Sequence, residues 1–176
     1  GCTITNSRFV RTNSAGGLKI DQGNSPEKTV VSNCEFEACK GSNTRCFAIS
    51  LKTADFTFSD NVVRNMQKSG NRGYFGSLGG NSVVSNMVLQ NVTFIDNQCN
   101  SDYGGGTGLW INGVETITFT QCKFINNLVD KTTTRGQKPA ESRYTTGDGG
   151  GIQYGFSGSI SNVSMVFNGC ILRENK

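Results

Sequence analysis

The chain has no histidine, which removes the side chain most often used as a general base or metal ligand near neutral pH. Proline is almost missing, at 2 residues. Charge is also sparse, with 17 Lys and Arg against 13 Asp and Glu, and the basic residues are scattered rather than clustered. A net charge of +4 spread in this way argues against nucleic acid as a partner. No apolar run is long enough to span a membrane. No basic stretch followed by an apolar one marks a signal peptide, so any such segment is expected outside these residues. CxxC pairs of the kind that hold zinc are missing too.

What remains is a β-rich composition over 176 residues, one domain's worth, with 23 glycines, many Ser, Thr and Asn, and 35% hydrophobic residues. The 7 cysteines are an odd number and cannot all pair within the chain. Their abundance favours an oxidising, extracellular setting with some thiols simply buried. The sequons Asn91-Val92-Thr93 and Asn162-Val163-Ser164 fit secretion in a eukaryote.

An internal repeat organises the sequence. FTQCKFINN at 119–127 returns as FNGCILREN at 167–175, each with an aromatic first, cysteine fourth, an apolar residue sixth and asparagine ninth. Taking the sixth residue as position zero, the series is Phe9, Phe36, Val63, Phe94, Phe124 and Leu172. Five residues upstream stand Ile4, Val31, Phe58, Leu89, Phe119 and Phe167; seven upstream stand Cys2, Thr29, Phe56, Met87, Ile117 and Met165. Two upstream stand the smaller Ser7, Cys34, Asn61, Val92, Cys122 and Cys170. Positions minus seven and minus five share one strand face, as do minus two and zero, but the phase slips by one residue between the pairs. A straight strand cannot do this, so the chain must bend at minus three.

That position holds Asn6, Asn33, Asp60, Asn91, Gln121 and Gly169. Short amide side chains tolerate turn dihedrals and can bond to one another when stacked. Asn6, Asn33, Asp60, Asn91 and Gln121 are therefore expected to form a structural ladder at one corner, mostly buried and bonded to backbone or to each other. A buried Asn91 would carry no glycan, which leaves Asn162 as the N-glycosylation candidate.

A third strand follows a variable gap: Gly17-Leu18-Lys19-Ile20, Ala48-Ile49-Ser50-Leu51, Gly108-Leu109-Trp110-Ile111 and Gly151-Ile152-Gln153-Tyr154, with Ser77-Leu78-Gly79-Gly80 as the weak copy. Three short strands per repeat predict an all-β fold. The expected architecture is a right-handed, single-stranded parallel β-helix, a pectin-lyase-like solenoid of about six coils. A β-sandwich is the alternative, but it would pair its strands as hairpins. Residues 1–176 are expected to be a single segment of a longer protein, because neither end carries a cap. The extra length of the fifth coil falls in a long loop insertion at 128–149.

Phe94-Ile95-Asp96-Asn97 and Phe124-Ile125-Asn126-Asn127 match an FxxN motif, and Gly16-Gly17-Leu18 and Gly150-Gly151-Ile152 are similar to a GGA-plus-aliphatic motif. In these motifs the chain resembles the polymorphic outer-membrane proteins of chlamydiae and similar surface proteins of some protists, where the two alternate. No copy here reads GGA, and Thr12 and Cys39 stand where asparagine would in the first two coils. The resemblance implies a surface-exposed β-helical passenger, adhesive in the chlamydial members. That family's transmembrane barrel has no counterpart in these residues.

Pectate lyases and polygalacturonases also use parallel β-helices, so a polysaccharide lyase or glycoside hydrolase is the alternative function. A glycosidase needs two carboxylates about 5 to 9.5 Å apart. Adjacent coils stack about 4.8 Å apart, yet no frame position is acidic in two adjacent coils. Asp102 and Asp148 are better read as turn residues beside glycines, and no tight acidic cluster suits calcium. Cys122 and Cys170 share a column one rung apart, wider than relaxed disulfide geometry, and are expected as buried thiols. Cys39 and Cys46 flank a short loop and are the expected disulfide.

The expected function is thus a structural or adhesive module of a large extracellular or cell-surface protein, not an enzyme, with no cofactor and no metal. Trp110 is expected to point outward, because Leu109 and Ile111 take the inward positions, and to share an outer column with Lys19, Ser50, Gly79 and Gln153. Within the long loop, Arg135, Lys138, Arg143 and Tyr144, together with Lys131, suit an anionic glycan or an acidic protein patch. The expected partners are a glycan or a host or neighbouring surface protein, with further coils of the same protein at both ends.

Overall fold

Short runs in which every second residue is apolar fold as half-buried strands, and the computed structural model shows this in the first strands of the repeats, such as Thr29–Ser32 and Phe56–Ser59. It describes residues 2–10, 18–22, 27–38, 40–42, 47–51, 55–69, 76–100, 109–130, 152–155 and 163–175. Nineteen strands lie among them, all paired in parallel and arranged in three sheets. No helix is present among the described residues, and so none long and apolar enough to cross a membrane. Each strand pairs with its equivalent one repeat away and never with its sequence neighbour, which is the opposite of a hairpin sandwich. The fold is all-β, with parallel strands in curled sheets, and is compatible with a parallel β-solenoid.

The first strand of each repeat builds one sheet in the frame read from the sequence. Cys2 pairs with Thr29, Thr29 with Phe56, Phe56 with Met87, Met87 with Ile117 and Ile117 with Met165. A six-stranded sheet runs from Arg8–Val10 to Ile171–Arg173 and stacks Phe9, Phe36, Val63, Phe94, Phe124 and Leu172. A four-stranded sheet joins Lys40–Ser42, Gln67–Ser69, Gln98–Asn100 and Leu128–Asp130. It adds a strand between the second and third of a repeat that the three-strand reading lacked, and it takes residues 128–130 out of the loop expected at 128–149. Two long strands, Gly76–Gln90 and Leu109–Thr120, each run from a third strand into the next repeat's first strand through an irregularity, where their mutual register shifts between Gly79 and Val84.

The inward side chains of these sheets make one core. Val31, Phe36, Phe58, Leu89, Phe94, Phe119 and Phe124 are fully buried. Parallel strands set equivalent side chains one rung apart, so aromatic columns become face-to-face stacks. Ring centroids lie 4.9 Å apart for Phe9 and Phe36, 4.7 Å for Phe94 and Phe124, and 4.6 Å for Phe119 and Phe167. Val63 interrupts the column, and there the Phe36 ring meets Phe47 at 5.2 Å and Phe58 at 6.1 Å.

Third-strand register differs from the expectation. Leu18 pairs with Phe47, Phe47 with Gly76, Gly76 with Leu109 and Leu109 with Ile152. Ile49 and Leu78 therefore stack on Ile20 and Ile111, two residues from the position assigned by pattern. A shift of two preserves the inward face, so alternation cannot detect it. Size decides it instead. A Cβ on Gly76 would lie 2.1 Å from the end of the Phe47 ring, so only glycine at this rung leaves room for that aromatic side chain.

The pairing of a large and a null side chain is testable. Gly76→Ala should destabilise the fold by about 1–3 kcal/mol through overpacking. Adding Phe47→Leu should recover part of that loss in the same urea titration. Equal midpoints for wild type and Gly76→Ala would contradict the assigned register.

Candidate functional site

The bend that the phase slip demands is made by one residue per repeat. Asn6, Asn33, Asp60, Asn91 and Gln121 have φ between 51° and 54°, and Gly169 has 61°. A second corner follows two residues after position zero, where Ala38, Asn65, Asp96, Asn126 and Glu174 have φ between 50° and 58°. Asn and Asp enter this left-handed region most cheaply among residues with a Cβ. Backbone pairing continues straight through both corners. Asn91 N–H donates to Thr120 O at 2.8 Å, and Asn126 N–H donates to Arg173 O at 3.0 Å.

This geometry corrects the burial assigned to the first column. Asn6, Asn33, Asp60, Asn91 and Gln121 are all exposed. They do stack: Asn33 Nδ2 donates to Asn6 Oδ1, and Asn91 Nδ2 to Asp60 Oδ1 at 2.9 Å. A left-handed residue at a convex corner turns its side chain outward, so this ladder is bathed in solvent. At the second corner Asn126 Nδ2 bonds to Asp96 Oδ1 at 2.6 Å in the same exposed manner.

The buried amides stand one residue later, pointing inward. Asn61, Asn97 and Asn127 are at most 1% exposed. Each donates Nδ2 to a main-chain carbonyl of the preceding repeat: Asn61 to Val31 O at 2.9 Å, Asn97 to Val63 O at 3.0 Å and Asn127 to Phe94 O at 3.1 Å. Each also accepts, through Oδ1, the N–H of the equivalent residue below: Cys34 N at 2.8 Å, Met66 N at 3.0 Å and Asn97 N at 3.3 Å. Asn175 continues the column with Nδ2 on Phe124 O at 2.8 Å and Oδ1 on Asn127 N at 3.0 Å. Asn97, Asn127 and Asn175 hold the ninth place of the opening repeat, which was the signal for them, whereas Asn61 stands in the fourth-place column of Cys34 and Cys122.

The cysteines of the first corner do half of that work. Cys122 Sγ reaches Leu89 O at 3.3 Å and Cys170 Sγ reaches Phe119 O at 3.5 Å, the carbonyls an asparagine there would satisfy. Cys2, Cys34, Cys122 and Cys170 are all free thiols; Cys122 is buried as expected, whereas Cys170, also expected to be buried, is half-buried. Burial pushes the Cys122 thiol up to about 11, opposed by the hydrogen bond with the Val92 backbone and aided by the adjacent Cys170.

On the outer face of the six-stranded sheet, four charges interlock. Arg8 Nε lies 2.5 Å from Glu35 Oε2, Arg64 lies 2.6 Å from Glu35 Oε1, and both arginines are 3.2 Å from Glu37. Burial alone would raise the Glu35 carboxyl, but the Arg8 hydrogen bond and the Arg64 and Arg8 charges outweigh it and hold it below the usual range. With two charges of each sign, this patch offers a partner little net field.

Trp110 lies between buried Leu109 and Ile111 and is half-buried on the outer side of its strand. Its rung neighbours are Ser77 and Gln153, and the column continues to Ala48 and Lys19. Ser50 and Gly79, expected in that column, instead align with Asn112. Arg135, Lys138, Arg143 and Tyr144, the rest of the loop from 131, Cys39, Cys46 and Asn162 lie outside the described residues. Among the described residues no group of three or more His, Cys, Asp or Glu is placed to hold a metal. Comparison with protein-family models, curated proteins and solved structures finds no match.

Two outcomes follow from the inward columns. Asn97→Asp sets a carboxylate against the Val63 carbonyl and Asn127 Oδ1, so its folded-state pKa must rise above the unfolded value. The variant should hold near-native stability at about pH 4 and lose it as pH rises to about 8, in urea titrations at each pH. Equal loss at both pH values would refute the donor role of Nδ2. For Cys122 the folded pKa also exceeds the unfolded one, so its contribution is complete below about 9 and lost as pH rises through about 11. Cys122→Val, which copies Val92 of the repeat below, should flatten that alkaline decline in thermal midpoint.

Proposed function

We propose that the chain is a right-handed, single-stranded parallel β-helix of about six coils, and that it serves as a structural and adhesive module of a large extracellular or cell-surface protein. One observation carries the reading: frame columns run in register from repeat to repeat, with main-chain hydrogen bonds unbroken through both corners. Stacking then occupies every inward position, and outward side chains, loops and edges are left for contact with partners. The handedness follows the general preference of parallel crossovers.

Phe167 is 46% exposed and Leu172 57%, although their equivalents below are fully buried, so the last described repeat presents apolar side chains for contact. For adhesion, Trp110 offers a half-buried indole on an outer face. The basic residues Arg135, Lys138 and Arg143, with Tyr144, contribute on sequence grounds a loop suited to an anionic glycan or an acidic surface protein.

The soluble chain, applied to immobilised acidic and neutral polysaccharides, should bind an acidic one, weaken in added salt and release no new chain ends. Deleting 131–149 should abolish that binding while leaving the thermal midpoint nearly unchanged, since loop closure depends only weakly on length. Release of reducing or unsaturated ends would replace this reading with a polysaccharide lyase or glycoside hydrolase.

A further inference from the structure

We propose that Asn91 is an N-glycan acceptor, a conclusion that rests on the extracellular placement above. The sequon Asn91-Val92-Thr93 straddles the first corner. Val92 is fully buried and fixes the segment to the core, while the left-handed φ of 51° turns Asn91 outward into solvent. Thr93, whose hydroxyl completes the sequon, is half-exposed at the start of the next strand. The reason for expecting Asn91 to stay bare was burial, and the corner geometry removes it.

The repeat supplies its own controls. Asn6, Asn33, Asn65 and Asn126 are equally exposed corner asparagines. Two residues beyond them stand Arg8, Glu35, Gln67 and Leu128, none carrying a hydroxyl. Among the described residues, then, solvent-facing geometry and sequon coincide only at Asn91.

The transfer is compatible with the ladder. The Asn91 amide nitrogen attacks C1 of the first sugar of a polyprenyl-diphosphate-linked oligosaccharide. A nitrogen–carbon bond forms, the bond from C1 to the diphosphate oxygen breaks, the diphosphate leaves with the electron pair, and one amide hydrogen departs as a proton. The second amide hydrogen remains for Asp60 Oδ1, to which Asn91 Nδ2 already donates at 2.9 Å. A sugar can thus be carried without giving up the stacking bond.

The chain is secreted from a eukaryotic cell behind an appended leader, and the peptide containing Asn91 is mapped before and after amidase release of glycans. The expected result is a glycan at Asn91, lost in both Asn91→Gln and Thr93→Val; the second variant keeps the asparagine and removes only the sequon. Glu35→Thr, which completes a sequon at Asn33 in the same column, should add a glycan there. A folded, secreted chain with unmodified Asn91 overturns the proposal, and an unmodified Asn33 in Glu35→Thr overturns its account of the corner. Because the leader is imposed, either failure counts against the site alone. The surface role stands or falls separately on polysaccharide binding.

Discussion

A strand can turn a corner without losing its hydrogen bonds only if a single residue takes a left-handed conformation while its own N–H still reaches the next repeat. Both corners meet this condition, from Asn33 N–H on Ser59 O at 3.1 Å to Asp96 N–H on Ile125 O at 3.2 Å. Everything else depends on it. The left-handed residue faces outward, the residue after it faces inward, and the carbonyl three places earlier in the repeat below is left needing a donor. Asparagine meets that need and offers an acceptor in return, which is why Asn61, Asn97 and Asn127 can be polar and fully buried. A buried donor or acceptor without a partner costs about 1–3 kcal/mol, so the column is under pressure at each rung.

The first corner shows how much variation that pressure allows. Cys34 and Cys122 donate a thiol to the carbonyl but lack the amide oxygen that asparagine offers in return, and the Val92 side chain has neither group. A thiol is a weak donor yet packs as a small hydrophobe, a compromise between satisfying the carbonyl and filling the core. High cysteine content therefore has a packing explanation here for the described thiols, independent of any disulfide. The same trade of size for register links Phe47 to Gly76: one repeat's excess volume is taken from its neighbour.

Much of this was legible in the sequence because stacking converts structure into period. The frame of the first two strands and the bend between them follow from parity over six copies, and the outward side of Trp110 from parity over five. The strand of the four-stranded sheet was missed because short runs such as Lys40–Ser42 and Gln67–Ser69 carry no apolar alternation, and two further features were not legible. The third-strand register slipped by two because alternation repeats every two residues, and only the clash of a Cβ with the Phe47 ring distinguishes the choices. The corner amides were assigned to the core because a recurring amide suggests a buried ladder. Which of two adjacent polar residues points inward depends on the sign of φ, and that lies in the backbone rather than in composition. The basic loop residues and the Cys39–Cys46 pair fall outside the described residues and stay readings of sequence.

The proposed function draws on the same division of labour. At an inward position, a substitution is felt one rung above and one below, so those columns cannot diverge towards a ligand without disturbing the stack. Exposed corners differ: Asn6, Asn33, Asp60, Asn91 and Gln121 share a backbone conformation while their neighbours two residues on range from Arg8 and Glu35 to Thr93 and Lys123. That outer column carries an ion-paired patch at one height and a sequon at another, with no change in the frame beneath. A scaffold of this kind separates what must repeat from what is free to vary, and the free set is a surface. The proposed role of contact along the length of the stack rests on that partitioning.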